Sequence, residues 1–229
     1  MSEPGFDADV PHRRLDVDDW DGVYVVGDVH GCRSELERML EKLGVTDDDL
    51  VVFVGDLVRK GPDSAGVVSL VREAENMFTV RGNNEEKLIR GTKELDELTD
   101  DQMAWIRDLP VAISWADTLV VHGGVDPRKP LADHSVDELE NCRELDGADG
   151  EPYWWEVHEG PHRVFFGHTP LAAPVYRRHA VGLDTGCVYG NELTAYDWHD
   201  DEFVTVSPEE TVQERAASKW VRPAVAPMQ

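Results

Sequence analysis

The sequence predicts an α/β fold, in which a central sheet that is largely parallel at first is covered by helices and finishes in antiparallel strands. Short apolar runs alternate with helical patterns over most of the chain, and a polar motif follows each main apolar run. After Ala173 the runs become shorter and glycines punctuate them, which is typical of hairpins. Because the chain has 229 residues, no repeat and no internal linker, we expect one domain with one sizeable core.

The predicted elements follow in chain order. VYVV (Val23–Val26) and LVVFV (Leu50–Val54) are predicted as buried strands, and MFTV, TLVV and RVFF as three further strands. The first predicted helix, SELERMLEKL, ends at Gly44, which suits a helix C-terminus. A second helix lies in SAGVVSLVREA, and a third in TDDQMAWIRDLP, with Thr99 as its N-cap and Pro110 as its stop. The late segments VYRRHAVGLDTGCVYGNELTAYDW and EFVTV are predicted as antiparallel strands.

Three regions are expected along the chain. An acidic N-terminal extension covers residues 1–20, the domain covers residues 21–206, and a C-terminal tail with one short helix covers residues 207–229. The last eight residues of the tail, RPAVAPMQ, are expected to be loosely held.

The charge of the chain is strongly negative. Lysine and arginine number 22 against 47 aspartates and glutamates, which gives a formal net charge of −25. Broad binding to nucleic acid or to an anionic membrane is therefore excluded, because both need a positive surface. Sixteen of the basic residues are arginine and only six are lysine. This composition favours adaptation to high salt, which screens self-repulsion, over the alternative of an acidic protein with no salt requirement.

The cysteines and the N-terminus indicate the compartment. Cys32, Cys142 and Cys187 are widely spaced and form no CxxC pair, which fits a reducing cytosol better than a disulfide scaffold. The first 20 residues are acidic and polar, with no apolar run of the length that a signal peptide or membrane span needs. We therefore expect a soluble cytoplasmic protein, and the sequence predicts no particular protein partner.

Each main strand is followed by a side chain that could bind a metal. The carboxyl ends of strands are where open α/β sheets build their sites. The motifs and their candidate ligands are GDVHG with Asp28 and His30, GDLVRKGP with Asp56, RGNNE with Asn83, HGG with His122, and GHTP with His168.

This joint pattern points to a dinuclear metal site. Mixed oxygen and imidazole ligands without thiolate suit manganese, iron, zinc or similar divalent ions. Six ligands are too many for one catalytic metal with an open position, but they suit two metals that share a carboxylate, activate water and hold a phosphoryl group. Taken singly, each aspartate is more often a turn or cap residue and each histidine a surface or core residue. The prediction therefore rests on all six occurring at equivalent positions.

In this order, GDVHG, GDLVRKGP, RGNNE, VHGG and GHTP resemble the motifs of the calcineurin-like metallophosphoesterases. The subgroup that looks most similar contains the symmetrical diadenosine-tetraphosphatases and related small phosphoprotein phosphatases of bacterial type. The late segment LDTGCVYGNELTAY resembles the C-terminal signature of that subgroup. The resemblance implies a four-layer α/β/β/α sandwich and metal-dependent hydrolysis of a small phosphorylated substrate.

The resemblance also implies a role for individual residues. The first metal would be held by Asp28 and His30, the bridge would be Asp56, and the second metal would be held by Asn83, His122 and His168. The two divalent ions are expected to be Mn²⁺ first, with Fe, Zn, Co or Ni as alternatives.

Two further positions would bind the substrate phosphate. Arg81 is expected to do so with its planar two-pronged guanidinium. Lys60 matches a family position that often carries a phosphate-binding arginine, and it would supply a point charge there.

Two positions depart from the family pattern. Asn84 stands where many members have a histidine that is thought to protonate the leaving oxygen, and Arg59 stands where those members often have an aspartate that orients it. An asparagine donates hydrogen bonds but cannot deliver a proton. Because general acid help is worth roughly 10²–10⁴-fold, we expect the site to favour good leaving groups. Phosphoanhydrides and aryl phosphates should then react better than phosphoserine.

Three functions stay open at this point. The first is hydrolysis of a dinucleoside polyphosphate, the second is a protein serine/threonine phosphatase, and the third is a metal-binding scaffold with weak catalysis, because Asn84 replaces the usual acid.

Asp184, in GLDTG, could orient a ligand, although an Asx-turn explains it as well. Trp154 and Trp155 are expected to fill or cover the core rather than to stack on a nucleobase.

Overall fold

The computed structural model describes residues 4–145 and 152–223, which form eleven strands and six α-helices. The strands are β1 (His12–Arg14), β2 (Gly22–Val26), β3 (Asp49–Phe53), β4 (Met77–Thr79), β5 (Ala112–Trp115), β6 (Thr118–Val121), β7 (Arg163–Phe166), β8 (Val175–Arg177), β9 (Ala180–Gly182), β10 (Leu193–Asp197) and β11 (Glu202–Val206). The helices are α1 (Arg33–Leu43), α2 (Ser64–Glu73), α3 (Asn83–Ile89), α4 (Asp100–Arg107), α5 (Val136–Asn141) and α6 (Trp154–Val157).

The strands form two mixed sheets. One has the order β11-β10-β2-β3-β4, with β2, β3 and β4 parallel and the two late strands antiparallel. The other has the order β1-β5-β6-β7-β9-β8, with β6, β7 and β9 parallel. The predicted α/β class is therefore confirmed, and each sheet combines a run of three parallel strands with antiparallel pairs.

Three apolar clusters explain the layering. Val25 and Val52 of the five-stranded sheet share a buried cluster with Ile113, Trp115 and Phe165 of the six-stranded sheet, so the sheets pack face to face. The strands of parallel sheets are apolar on both faces because both are covered. Helices α1, α2 and α4 cover the outer face of the five-stranded sheet, and α5 and α6 cover the outer face of the six-stranded sheet. The layers are thus helix, sheet, sheet and helix.

The helix ends agree with the sequence signals. Gly44 closes α1 in the left-handed conformation, at φ 69°, and its N–H donates to the carbonyl of Glu41. The Thr99 side chain accepts from the N–H of Gln102 at the start of α4, and the Gln102 side chain accepts from Thr99 in return. Such reciprocal caps satisfy donors that have no partner inside the helix.

Two predicted terminal regions contribute to the folded structure. Strand β1 pairs with β5, so part of the acidic extension belongs to the six-stranded sheet. In the tail, Ala217–Lys219 form a short 3₁₀ helix, and the N–H of Val221 donates to Pro170 at 3.0 Å. Of RPAVAPMQ only the first two residues are described, and the loose end predicted for residues 224–229 lies outside the described residues. Trp154 and Trp155 are buried in the core.

Among the described residues, no helix combines the length and the apolar character that crossing a membrane requires.

Candidate active site

The site lies where the two sheets meet at the carboxyl ends of their parallel strands. Strands β2 and β3 lead into Asp28 and Asp56. Strands β6 and β7, in the other sheet, lead into His122 and His168. Two layers therefore contribute the polar groups of one site, as their equivalent positions in the sequence predict.

The backbone is unusual at this place. Among the described residues that are not glycine, seven have positive φ, and five of them lie at the site: His30 (51°), Asp56 (53°), Arg59 (70°), Lys60 (72°) and His168 (66°). Residues other than glycine rarely adopt a positive φ, and backbone strain of this kind concentrates at functional sites. The fold thus holds these five side chains in conformations that an ordinary loop would avoid.

Asp56 is the centre of the cluster. Its two carboxylate oxygens lie 3.5 Å from Nε2 of His30 and 3.4 Å from Nε2 of His122. The same His30 nitrogen is 3.8 Å from the carboxylate of Asp28. The ligand atoms offered by Asp28, Asp56 and His122 all lie within 4.8 Å of one another, and all three residues are buried. A group of donors as compact as this could hold a metal ion.

The imidazoles are oriented as metal ligands usually are. His122 donates from Nδ1 to the carbonyl of Val54 at 2.8 Å, and His30 donates from Nδ1 to the carbonyl of Val58 at 3.2 Å. These bonds fix the rings and direct both Nε2 atoms at Asp56. Nε2 of His122 is shielded from solvent and has no hydrogen-bond partner among the described residues. An orphaned buried nitrogen beside two carboxylates fits a divalent cation.

The carboxylates and histidines shift each other's pKa. Burial raises the pKa of Asp56, but the neighbouring His122 and His30 lower it by more, so it lies well below its usual value. Burial lowers the pKa of His122, yet the Asp56 carboxylate raises it to about 10. Burial lowers the pKa of His30 to about 3 and that of His168 well below its usual value. Of the three imidazoles, His122 is therefore the one that holds its proton most strongly when no metal is bound.

The pKa values of Asp28 and Asp56 are shifted in opposite directions. Burial and the nearby charge of Asp184 raise the pKa of Asp28 well above its usual value. Asp184 also accepts a hydrogen bond from the N–H of Gly186 at 3.1 Å, so the expected Asx-type turn is present beside the site. The backbone N–H of His168 lies 3.2 Å from the Asp28 carboxylate. A Cβ on Gly167 would collide with that carboxylate, which explains the glycine.

The two adjacent asparagines differ in their contacts. Asn84 donates its backbone N–H to Oδ1 of Asp56 at 2.8 Å, and its side-chain amide donates to Oδ2 of Asp56. Asn83 accepts from the Asn84 amide at 3.0 Å and donates to Asn141 at 3.4 Å. The Asn84 oxygen accepts from Arg59. Asn84 thus joins the guanidinium of Arg59 to the central carboxylate.

Glu85 stabilises the loops of the site through hydrogen bonds to their backbone N–H groups. The sequence analysis did not identify this residue. Its buried carboxylate accepts from the N–H groups of Gly82 at 2.8 Å, Asp56 at 3.0 Å and Val58 at 3.1 Å. Burial and the charge of Asp56 raise the pKa of Glu85 to about 7. The signal was available, because a glutamate three residues after the start of a helix commonly caps it.

Arg81 and Arg143 occupy different surroundings. The Nε of Arg81 lies 3.0 Å from Glu140 and 3.2 Å from Glu86, and the side chain is buried. Arg143 donates to the backbone carbonyl of His168 at 2.8 Å and lines the cavity above the site. Arg81 is not among the described residues that line this cavity. No motif in the sequence marked Arg143.

The cavity above the cluster is basic. It has a volume of about 360 Å³ and reaches Asp56, Asn84 and His168. Its basic lining residues are Arg59, Lys60, Lys87, Arg143 and Arg215. In a chain of net charge −25, this concentration of positive charge makes the cavity a place for an anion.

Comparison with known proteins agrees with this geometry. Residues 22–214 match the model of the calcineurin-like phosphoesterase family. The chain is 28% identical to "Bis(5'-nucleosyl)-tetraphosphatase PrpE [asymmetrical]" of Oceanobacillus iheyensis, over 80% of this chain and 91% of that protein. It is 30% identical to "Serine/threonine-protein phosphatase 1" of Salmonella typhimurium, over 80% of this chain and 94% of that protein.

A solved structure is similar over nearly its whole length. It is described as a candidate diadenosine tetraphosphatase and superposes with a TM-score of 0.79 at 32% identity, covering 86% of this chain and 98% of its own. The family match spans most of the chain and includes every strand end that leads into the buried cluster around Asp56. This chain therefore belongs to the calcineurin-like phosphoesterase family and is a phosphoester hydrolase.

Proposed function

We propose that this enzyme hydrolyses the phosphoanhydride of a dinucleoside polyphosphate at a centre that holds two divalent ions. The observation that carries the proposal is the buried Asp56 between His30 and His122, directly beneath a cavity lined by five basic side chains. An anionic substrate of high charge density fits a basic cavity in an otherwise acidic surface better than a neutral or cationic one.

The proposed metal ligands are residues that follow strand ends around the cavity above Asp56. Asp28 and His30 would hold one ion, Asp56 would lie between the two, and a second ion would be held by the residues Asn83, His122 and His168. When bound, such ions supply Lewis acidity and activate water. We propose Mn²⁺, since the donors are carboxylate, carboxamide and imidazole without thiolate.

The substrate phosphates are proposed to bind the cavity side chains. Arg143 is proposed as the two-pronged phosphate ligand in place of Arg81, because Arg81 lies against Glu140 and Glu86. Lys60 and Lys87 add point charges on the same cavity. Asn84, fixed by Arg59 and Asp56, donates hydrogen bonds and delivers no proton. This arrangement favours a phosphate leaving group, which departs without protonation more easily than an alkoxide.

The position of cleavage has two candidates. The resemblance to the symmetrical diadenosine-tetraphosphatases implies cleavage of diadenosine tetraphosphate to two ADP. The name of the Oceanobacillus iheyensis relative, which specifies the asymmetrical type, favours cleavage to ATP and AMP. Incubation with Mn²⁺ at high salt, followed by chromatographic identification of the nucleotides, decides between them. No release of nucleotide by the wild type, or equal release by an Asp56→Asn variant, would overturn the proposal.

A serine/threonine phosphatase is the second candidate, because one relative carries that name at 30% identity. Phosphoserine peptide and diadenosine tetraphosphate should be compared at equal concentration and with the same metals. A higher kcat/KM for the peptide would favour this second function.

The setting of the enzyme is proposed to be the cytoplasm of a salt-adapted cell. The three cysteines are free, which is the state that a reducing compartment maintains. The excess of acidic side chains is the basis for the salt adaptation.

A further inference from the structure

Residues 207–223 run across the end of the fold beside the active site, and we refer to them as the C-terminal strap. Gln213 is bonded twice, through its N–H to the carbonyl of Val188 at 2.9 Å and through its side chain to the carbonyl of Lys60 at 3.0 Å. Further along, Val221 donates to Pro170 and accepts from Ala172. The strap is therefore tied close to two residues of the active-site cavity, Lys60 and Pro170.

Arg215 of the strap lines the cavity above Asp56. The guanidinium of Arg215 lies 5.0 Å from the ring centre of Tyr189 and 5.8 Å from that of Trp220. It donates to the carbonyl of Lys219 at 2.8 Å. Its Nε is shielded from solvent and has no hydrogen-bond partner in the described part of the chain. Two aromatic rings thus hold a cation whose donor capacity is only partly used.

A second cavity of about 530 Å³ lies on the other side of Arg215. It is lined by Lys219, Trp220 and Arg222 of the strap. It shares Arg143, Pro170 and Arg215 with the cavity above Asp56, so the two cavities are adjacent.

The charge of the side chains that line the two adjacent cavities is opposite to that of the chain. Seven of the 22 basic residues line them, whereas the only acidic residues among the described lining are Asp56 and Glu144. A cleft of one sign in a protein of the opposite sign concentrates its counter-ion. The family match ends at residue 214, so the basic residues of the strap follow the part of the chain that the family model covers.

We propose that the C-terminal strap forms a second anion subsite, which binds the substrate phosphates that are remote from the bond being cleaved. Arg215 lies between the two cavities and contacts the middle of the phosphate chain, while Lys219 and Arg222 contact its far end. The enzyme then prefers substrates with several linked phosphates over monophosphates. This inference rests on the proposed function, because it assigns the substrate of the same site.

The test compares a long and a short phosphate ligand. Lys219→Glu/Arg222→Glu reverses two exposed charges, and Arg107→Glu/Arg178→Glu is a matched control at exposed positions outside both cavities. Calorimetry on the Mn²⁺-loaded protein gives the affinities for AMP and for a methylene-bridged diadenosine tetraphosphate that resists hydrolysis. The affinity ratio of long to short ligand should fall about tenfold in the strap variant, equivalent to losing one charge-assisted contact. In the control it should change by less than about twofold.

An unchanged ratio in the strap variant, or an equal fall in the control, would overturn the subsite. Melting curves establish that both variants are folded, and Lys219→Ala/Arg222→Ala serves as the milder pair. Turnover is scored separately. If the affinity ratio falls in the strap variant but the wild type cleaves no phosphoanhydride, the subsite is supported and the proposed function is contradicted. If the wild type cleaves the phosphoanhydride but the ratio is unchanged in the strap variant, the proposed function is supported and the subsite is contradicted.

Discussion

Arg59 donates a hydrogen bond to the side-chain oxygen of Asn84, and the amide of Asn84 donates in turn to Asp56. The sequence presents Arg59 and Asn84 as two separate departures from the family pattern, 25 residues apart. In the structure they form one unit, in which a cation orients an amide against the central carboxylate. Replacing one partner alone should therefore leave the other without its contact.

The first prediction concerns this pair. Arg59→Asp/Asn84→His introduces an acid with an orienting carboxylate, and it should raise the turnover of phosphoserine by about 10²-fold, the lower end of general acid help. Turnover of diadenosine tetraphosphate should change by less than about threefold, because its leaving group needs no proton. The single variants serve as controls, and equal gains on both substrates would contradict the argument.

The second prediction concerns Glu85. Glu85→Ala leaves three buried N–H groups, of Gly82, Asp56 and Val58, without an acceptor. Since a buried donor without a partner costs about 1–3 kcal/mol, the free energy of unfolding should fall by at least about 3 kcal/mol. Denaturant unfolding measures the loss, and Glu94→Ala, at an exposed position, should be nearly neutral. A loss below about 1 kcal/mol would argue against the bracing role.

The third prediction concerns pH. The pKa of His122 is raised to about 10, so without metal this imidazole is protonated at neutral pH. A metal needs the neutral ring, so binding must release this proton, and the apparent affinity should rise about tenfold per pH unit from pH 7 to pH 9. Calorimetry in buffers of different ionisation enthalpy counts the protons released. An affinity that is flat over this range would contradict the prediction.

The fourth prediction concerns Lys60. Its ammonium lies 2.6 Å from Nε2 of His30, where a cation held by His30 would also lie. Lys60→Met should therefore strengthen metal binding roughly tenfold or more, because a like charge near 4 Å costs about 4 kcal/mol at an effective dielectric of 20. The same change should raise KM for the polyphosphate. Lys87→Met, on the same cavity, is the control, and metal affinity equal in both variants would count against this competition.

The fifth prediction concerns salt. With a net charge of −25, self-repulsion should weaken the folded state as the Debye length grows from about 3 Å at 1 M salt to about 10 Å at 0.1 M. The melting temperature should fall as salt is removed. Sodium chloride and potassium chloride should act alike at equal ionic strength, and an unchanged melting temperature in dilute buffer would refute salt adaptation.

The parts of the site that follow strands could be predicted, and the parts that depend on long-range packing could not. Asp28, Asp56 and His122 stand directly after apolar runs, and parallel strands bring their ends together regardless of loop detail. Arg81 also stands there, but its side chain lies against Glu140, 59 residues later in the chain. Nothing local distinguishes an arginine that lines a cavity from one that pairs with a buried glutamate. Arg215 is beyond local reasoning for the same reason.

The division of the ligands between two sheets has a mechanical consequence. Asp28 and Asp56 follow strands of one sheet, and His122 and His168 follow strands of the other. A metal held by ligands from both sheets would link the sheets at one end of the sandwich and oppose their separation. At a free metal concentration of 100 times Kd this linkage adds about 2.7 kcal/mol to the folded state. Removal of the metal by a chelator would then lower the stability of the whole fold as well as abolish the activity.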